Sequence, residues 1–94
     1  MALDKTLALK LVKDRLNRLP GDTSLDDYLR MRVLAAVNEA QTLGLNLDTC
    51  GVDGLLYVVD YTVWSYQNRD EGGGMPEWLR LRRRELFLRS GVSL

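Results

Sequence analysis

Residues 52–69 carry apolar side chains at helical spacing on two opposite sides, and few folds can use such a segment. Its composition is strand-like, since Val, Tyr, Thr and Trp crowd into Tyr57–Tyr66. Its periodicity is helical. At about 100° per residue, Val52, Leu55, Leu56, Val59, Val63 and Tyr66 form one stripe, and Tyr57, Tyr61, Trp64 and Asn68 form a second, opposite one. Asp60 and Gln67 separate the stripes on one side; Thr62, Ser65 and Arg69 separate them on the other. A helix apolar on both sides either sits at the centre of its own bundle or is shared between core and partner. Tyr and Trp join a large apolar area to a polar tip and are enriched at interface hot spots. The second stripe is therefore a candidate partner surface, with the bundle interior as its competing use.

The size of the chain bears on that choice. Its 94 residues fit one small domain, residues 1–94. A chain this short buries only about 60–65% of the surface its unfolded form exposes, and small folds often draw stability from disulfides, metals or partners. Cys50 is the only cysteine and there is no histidine. An intrachain disulfide is thereby excluded, and the residues for a zinc site or an activated nucleophile are missing. Oligomerisation is the stabiliser left. Residues 1–20 carry charges throughout, unlike the apolar core of a signal peptide. No run approaches the ~20 apolar residues of a membrane span. A soluble protein made in the cytoplasm, with no membrane partner, is expected.

Three further helices are expected around the two-faced one, giving an all-α bundle of about four. The first is Leu3–Leu19, with Ala8, Val12, Leu16 and Leu19 on a stripe flanked by Leu9 and Leu11. Lys10, Lys13, Asp14 and Asn17 fall on its other side, Asp4 is the N-cap, and Pro20-Gly21 ends it. The second is Leu25–Leu43, capped by Ser24, with Asp26 and Asp27 at its positive end. Its stripe is Leu25, Leu29, Val33, Ala36, Ala40 and Leu43, widened by Val37; Ala35, Ala36 and Ala40 allow close approach of another helix, and Gly44 is the C-cap. Leu45–Gly51 is a connector whose Leu45 and Leu47 tuck against the core, with Asp48 or Thr49 capping the helix over 52–69.

Asp70–Gly74 is a mobile turn, and its three glycines lack the GK[ST] of a P-loop. The fourth helix, 76–89, starts with Pro76 in its first position and Glu77 at the positive end. It has no single apolar face. Leu79 and Leu86 lie together, Trp78, Leu81 and Leu88 lie together elsewhere, and arginines surround them. Such a helix fits more easily between two bodies than on a lone surface. The tail Ser90–Leu94 frays unless it docks.

Net charge is zero but unevenly placed. Residues 1–19 hold five basic and two acidic groups, residues 20–60 two basic and seven acidic, and residues 76–94 five basic and two acidic. Basic ends and an acidic middle suit contacts between unlike surfaces of neighbouring subunits better than wholesale polyanion binding; local bias of short helices is the plainer alternative. No catalytic, cofactor-binding or metal residue is nominated. Asp60, at the border of the two stripes, either pairs with an arginine of the fourth helix or a neighbouring subunit, or is exposed. Arg80, Arg82, Arg83 and Arg84 raise a nucleic-acid reading, and a small nucleic-acid-binding regulator is the alternative function. The mixing of these arginines with Leu and Trp favours salt bridges to a subunit or partner.

The run from Asp60 to Leu88 resembles the C-terminal half of small head–tail connector proteins of tailed bacteriophages and prophages. The matching features are an aromatic helix ending in Tyr66-x-Asn68-Arg69-Asp70, a Gly-rich turn, Met75-Pro76, and a final Leu/Arg-rich helix. About a third of the chain carries the likeness; the first two helices agree only in being short and amphipathic. The resemblance implies an α-helical bundle that assembles as a ring on the portal protein in the virion neck, after synthesis in the host bacterial cytoplasm. The ring extends the channel through which DNA passes without sequence-specific binding, and docks a stopper or tail-completion protein. It further implies Tyr57, Tyr61 and Trp64 as subunit contacts, with Asn68 and Arg69 at the end of that face. Trp78, Arg80, Arg82, Arg83 and Arg84 become portal or neighbour contacts. Little of this sequence follows the fourth helix, a departure from family members with a long C-terminal arm.

Overall fold

The computed structural model describes residues 4–17, 21–45, 47–68 and 74–89. Their regular structure is helical throughout: α1 (Lys5–Arg15), α2 (Asp26–Thr42), α3 (Leu47–Gln67) and α4 (Glu77–Arg89). The all-α bundle of four helices expected from periodicity is what forms. Leu19, Pro20, Arg69, most of the glycine turn and the Ser90–Leu94 tail lie outside the described residues.

Asp4 caps α1 as expected, its Oδ1 accepting from the Leu7 N–H at 3.0 Å. The helix stops earlier than Pro20, however. The Leu16 N–H donates to the Val12 carbonyl, the Asn17 N–H donates to that of Asp14, and Asn17 turns to φ 60°. Asparagine tolerates this left-handed conformation better than most residues with a side chain. Lys13 also departs from the expected polar face. It is buried, with its Nζ 2.9 Å from Asp26 Oδ1 in the first turn of α2. Its alkyl stem packs inside while the ammonium meets an acid of the neighbouring helix.

Ser24 does not cap α2. Its Oγ and its N–H both donate to Asp22 Oδ1, at 2.7 and 3.1 Å, so Asp22 organises the turn. Leu25 occupies the cap position with no side-chain hydrogen bond. The other end matches expectation. Gly44 adopts φ 92°, its N–H donates to the Gln41 carbonyl, and the Leu45 N–H donates to that of Ala40. These are the two bonds of a Schellman ending, and Leu45 is buried beyond it.

The expected connector 45–51 is partly helical. A first turn of α3 begins at Leu47, breaks at Gly51 (φ 59°, ψ −134°), and resumes through Gln67. A side chain would resist that backbone conformation at Gly51. Leu45 and Leu47 are both buried, as anticipated. Helix α3 is the hub: it packs on α1, α2 and α4, α1 and α2 also pack together, and α4 packs on α3 alone. One core joins Ala8 and Val12 of α1, Leu29, Val33 and Ala36 of α2, Tyr57, Val58 and Val63 of α3, and Leu79, Leu86 and Phe87 of α4. Among the described residues no helix is long and apolar enough to cross a membrane.

Candidate interaction surfaces

The aromatic stripe of α3 divides on folding. Tyr57 has no exposed surface and belongs to the core, so it is not a subunit contact; Glu39 of α2 and Arg83 of α4 lie beside its hydroxyl. Tyr61 and Trp64 are half-buried and pack against the same core. The three rings run in series, with centroids 6.1 Å apart for Tyr57–Tyr61 and 5.7 Å, edge to face, for Tyr61–Trp64. A salt bridge closes this side: Arg83 Nη1 of α4 donates to Glu39 Oε1 of α2 at 2.9 Å. Burial, reinforced by the Glu39 charge, pushes the Tyr57 hydroxyl up to about 12, and the same two causes raise that of Tyr61. Asn68 turns back on its own helix, its Nδ2 donating to the Trp64 carbonyl at 2.9 Å.

Three of the residues that divide the stripes, Asp60, Thr62 and Ser65, are structural. Arg32 Nη1 donates to Ser65 Oγ at 2.7 Å, and Arg32 also donates to the Tyr28 hydroxyl, bringing α2 over that flank, where Thr62 is fully buried. On the opposite flank Asp60 is buried and accepts from two guanidiniums. Arg15 Nη1 of α1 lies 2.7 Å from its Oδ1, and Arg82 Nη1 of α4 lies 2.7 Å from its Oδ2. Two charge-assisted bonds, one to each oxygen, satisfy the carboxylate and tie three helices together. Pairing of Asp60 with an arginine of the fourth helix, one of the options read from sequence, is therefore realised within the chain.

The arginine cluster is split in the same way. Arg82 and Arg83 face inward to Asp60 and Glu39, while Arg80 and Arg84 are exposed and make no ion pair among the described residues. What α4 presents outward is apolar. Trp78, Leu81 and Leu88 are 50%, 51% and 64% exposed and share one side of the helix, the grouping expected from the sequence. Glu85 sits among them, exposed and without an ion pair among the described residues.

A second exposed apolar face, not anticipated from sequence, lies on α2. Met31 (64% exposed), Leu34 and Ala35 line a shallow pocket of about 370 Å³ together with Asn38 and Gln41, and Lys5 of α1 borders it. Its signal was available: two large apolar residues three apart, on the side of α2 away from its core stripe. Among the described residues no cluster of three or more metal-ligating side chains occurs. Comparison with protein-family models, with curated proteins and with solved structures finds no match to this chain.

Proposed function

We propose that this chain is a structural virion-assembly protein: a head–tail connector that forms a ring beneath the portal, extends the DNA channel and docks the next neck or tail protein. The observation that carries this reading is the outward ridge Trp78–Leu81–Leu88 on a helix whose other side packs Leu79, Leu86 and Phe87 into the core. Large apolar side chains grouped on one exposed helix face mark a surface that functions when covered. The ordered likeness of Tyr66 to Leu88 to phage connectors supplies the kind of assembly. Trp78, Arg80 and Arg84 are the outward residues of α4 available to a portal or a neighbouring subunit, whereas Arg82 and Arg83 act inside the subunit. Catalysis has no part in this reading.

The reading is tested by mixing the protein with a portal protein from the same genome and measuring the mass of the complex; absence of any portal gene from that genome counts against the reading. A ring should form on the portal, and Leu81→Asp with Leu88→Asp should abolish it while helix content stays unchanged by circular dichroism. Failure of the unaltered protein to bind the portal sinks the proposal. The competing reading, a nucleic-acid-binding regulator, keeps only Arg80 and Arg84 of the cluster for phosphates. It requires duplex DNA binding that falls steeply with salt and is lost when these two arginines are changed.

A further inference from the structure

Helices α1 and α4 both pack on α3, and their backbones stay apart from each other. In the gap lies a pocket of about 340 Å³, lined among others by Arg15 of α1, by Asp60, Trp64, Gln67 and Asn68 at the end of α3, and by Trp78 of α4. Pockets that hold ligands are mainly aromatic or apolar, with a few polar groups to fix orientation. Both tryptophans of the chain are in this one. Trp64 is held edge to face against Tyr61 at 5.7 Å, and Trp78 is half exposed in the first turn of α4. Two indoles from different helices suit a ring-bearing apolar group.

The charge in the pocket comes from a guanidinium already held in place. Each oxygen of buried Asp60 accepts a 2.7 Å bond, one from Arg15 and one from Arg82, so the acid is satisfied and the three groups sum to +1. Nothing nearby cancels that charge at Arg15. Asp14 pairs with Lys10, and Asp53 and Glu85 share a separate pocket with Arg82. Arg15 is half exposed and pairs with Asp60 alone among the described residues, through Nη1. The rest of its five donors remain for an acceptor in the pocket. Because Asp60 orients the guanidinium beforehand, an incoming anion does not have to order it.

The uncharged lining narrows the choice of anion. Asn68 spends an Nδ2 proton on the Trp64 carbonyl, and the Gln67 amide makes no bond among the described residues. Donors and acceptors are thus both left over, as a peptide backbone requires. Nucleic-acid phosphates are gathered by clustered Lys and Arg, whereas here one available cation sits beside an acid. A single carboxylate matches a single guanidinium edge.

We infer that this pocket binds an acidic peptide segment of a partner protein, with a Glu or Asp carboxylate on Arg15 and an adjacent apolar ring against Trp64 and Trp78. The inference goes beyond the connector reading and does not depend on it, since it names what a partner must present and not which partner presents it.

Tryptophan fluorescence reads the pocket directly, because the chain has no tryptophan elsewhere. The probes are the blocked peptide acetyl-Ser-Phe-Glu-Ser-amide and its counterpart with Gln in place of Glu, each titrated into the millimolar range. The Glu peptide should shift the emission in a saturable way and bind about tenfold more tightly than the Gln peptide. Arg15→Gln should abolish that preference, while Arg30→Gln, on an exposed part of α2, should leave it intact. Should Arg15→Gln fail to fold by circular dichroism, added salt decides on the unaltered protein: the Glu peptide should weaken and the Gln peptide should not. Equal binding of the two peptides, no saturable shift, or a preference that survives Arg15→Gln overturns the inference. Tighter binding of a thymidine decamer than of the Glu peptide overturns it too, and makes the pocket a nucleic-acid site. Portal binding separates this idea from the connector: a protein that takes the peptide but no portal keeps the pocket and loses the connector reading, and the reverse result does the opposite.

Discussion

The aromatic stripe of α3 and the ridge of α4 are made of similar residues and meet opposite fates. Tyr57 lies in the core with Tyr61 and Trp64 packed against it, while Trp78, Leu81 and Leu88 face outward. Residue type does not decide between them, because Tyr and Trp serve cores and interfaces equally well. The number of neighbouring helices does. Helix α3 packs on three helices, with Val52 and Leu56 near its start left exposed although the sequence placed them on the core stripe, whereas α4 packs on one. In a small bundle the peripheral helix, not the most hydrophobic one, is where a partner can be met.

The largest test of that contrast is a pair of truncations. Tyr57→Ala should cost about 3–5 kcal/mol, as for other fully buried aromatic residues, and Trp78→Ala no more than about 1 kcal/mol. Urea denaturation of both variants measures the difference, and equal losses would mean that the two regions are not distinct. A second test uses protonation. The unfolded tyrosine titrates near 10 and the folded Tyr57 near 12, so the unfolded chain releases its proton first. Stability should hold below about pH 10 and fall by about 2–3 kcal/mol as pH rises toward 12. Tyr57→Phe should remove most of that fall in denaturation curves taken from pH 9 to 12. At neutral pH the same change should be nearly silent, since the buried hydroxyl makes no well-formed hydrogen bond among the described residues.

A smaller effect is expected at the three-helix junction. Asp60→Asn should cost about 1–3 kcal/mol, less than a fully buried pair, because Arg15 and Arg82 are each about half exposed and water takes over part of their charge. Thermal melts of Asp60→Asn beside Arg15→Gln would show whether both guanidiniums contribute. A loss confined to one of them would reduce the junction to a simple pair.

Much of the fold was legible because its signals are local. Asp4, Gly44 and the centre of the α2 stripe each act within one or two turns, and they hold; Leu43, expected at the end of that stripe, is exposed where the chain turns away at Gly44. What escaped depends on residues far apart in sequence. Lys13 reads as a solvent residue until Asp26 of another helix is placed beside it, and Tyr57 reads as an interface until Glu39 of α2 and Arg83 of α4 are placed beside it. Two misses were local but ambiguous. Asn17 ends α1 by a left-handed turn that few residues with a side chain adopt, and Ser24, expected as the cap of α2, instead donates its N–H and hydroxyl to Asp22. The candidate surface was half legible. The Trp78–Leu81–Leu88 grouping follows from spacing alone, but its outward direction is set by Arg82 and Arg83, whose partners no local pattern reveals.

Those two adjacent arginines have a consequence for geometry at long range. A helix resting on one other helix is free, in principle, to roll about its own axis. Arg82 and Arg83 project roughly 100° apart and are bound to acids on two different helices, so any roll that relaxes one bond stretches the other. The pair works as a rotational stop that sets the bearing of the outer ridge. In an assembly built through that ridge, a subunit's bearing sets the angle to its neighbour and hence the number of copies needed to close. The size of a structure many subunits across would then be fixed by two ion pairs inside each one.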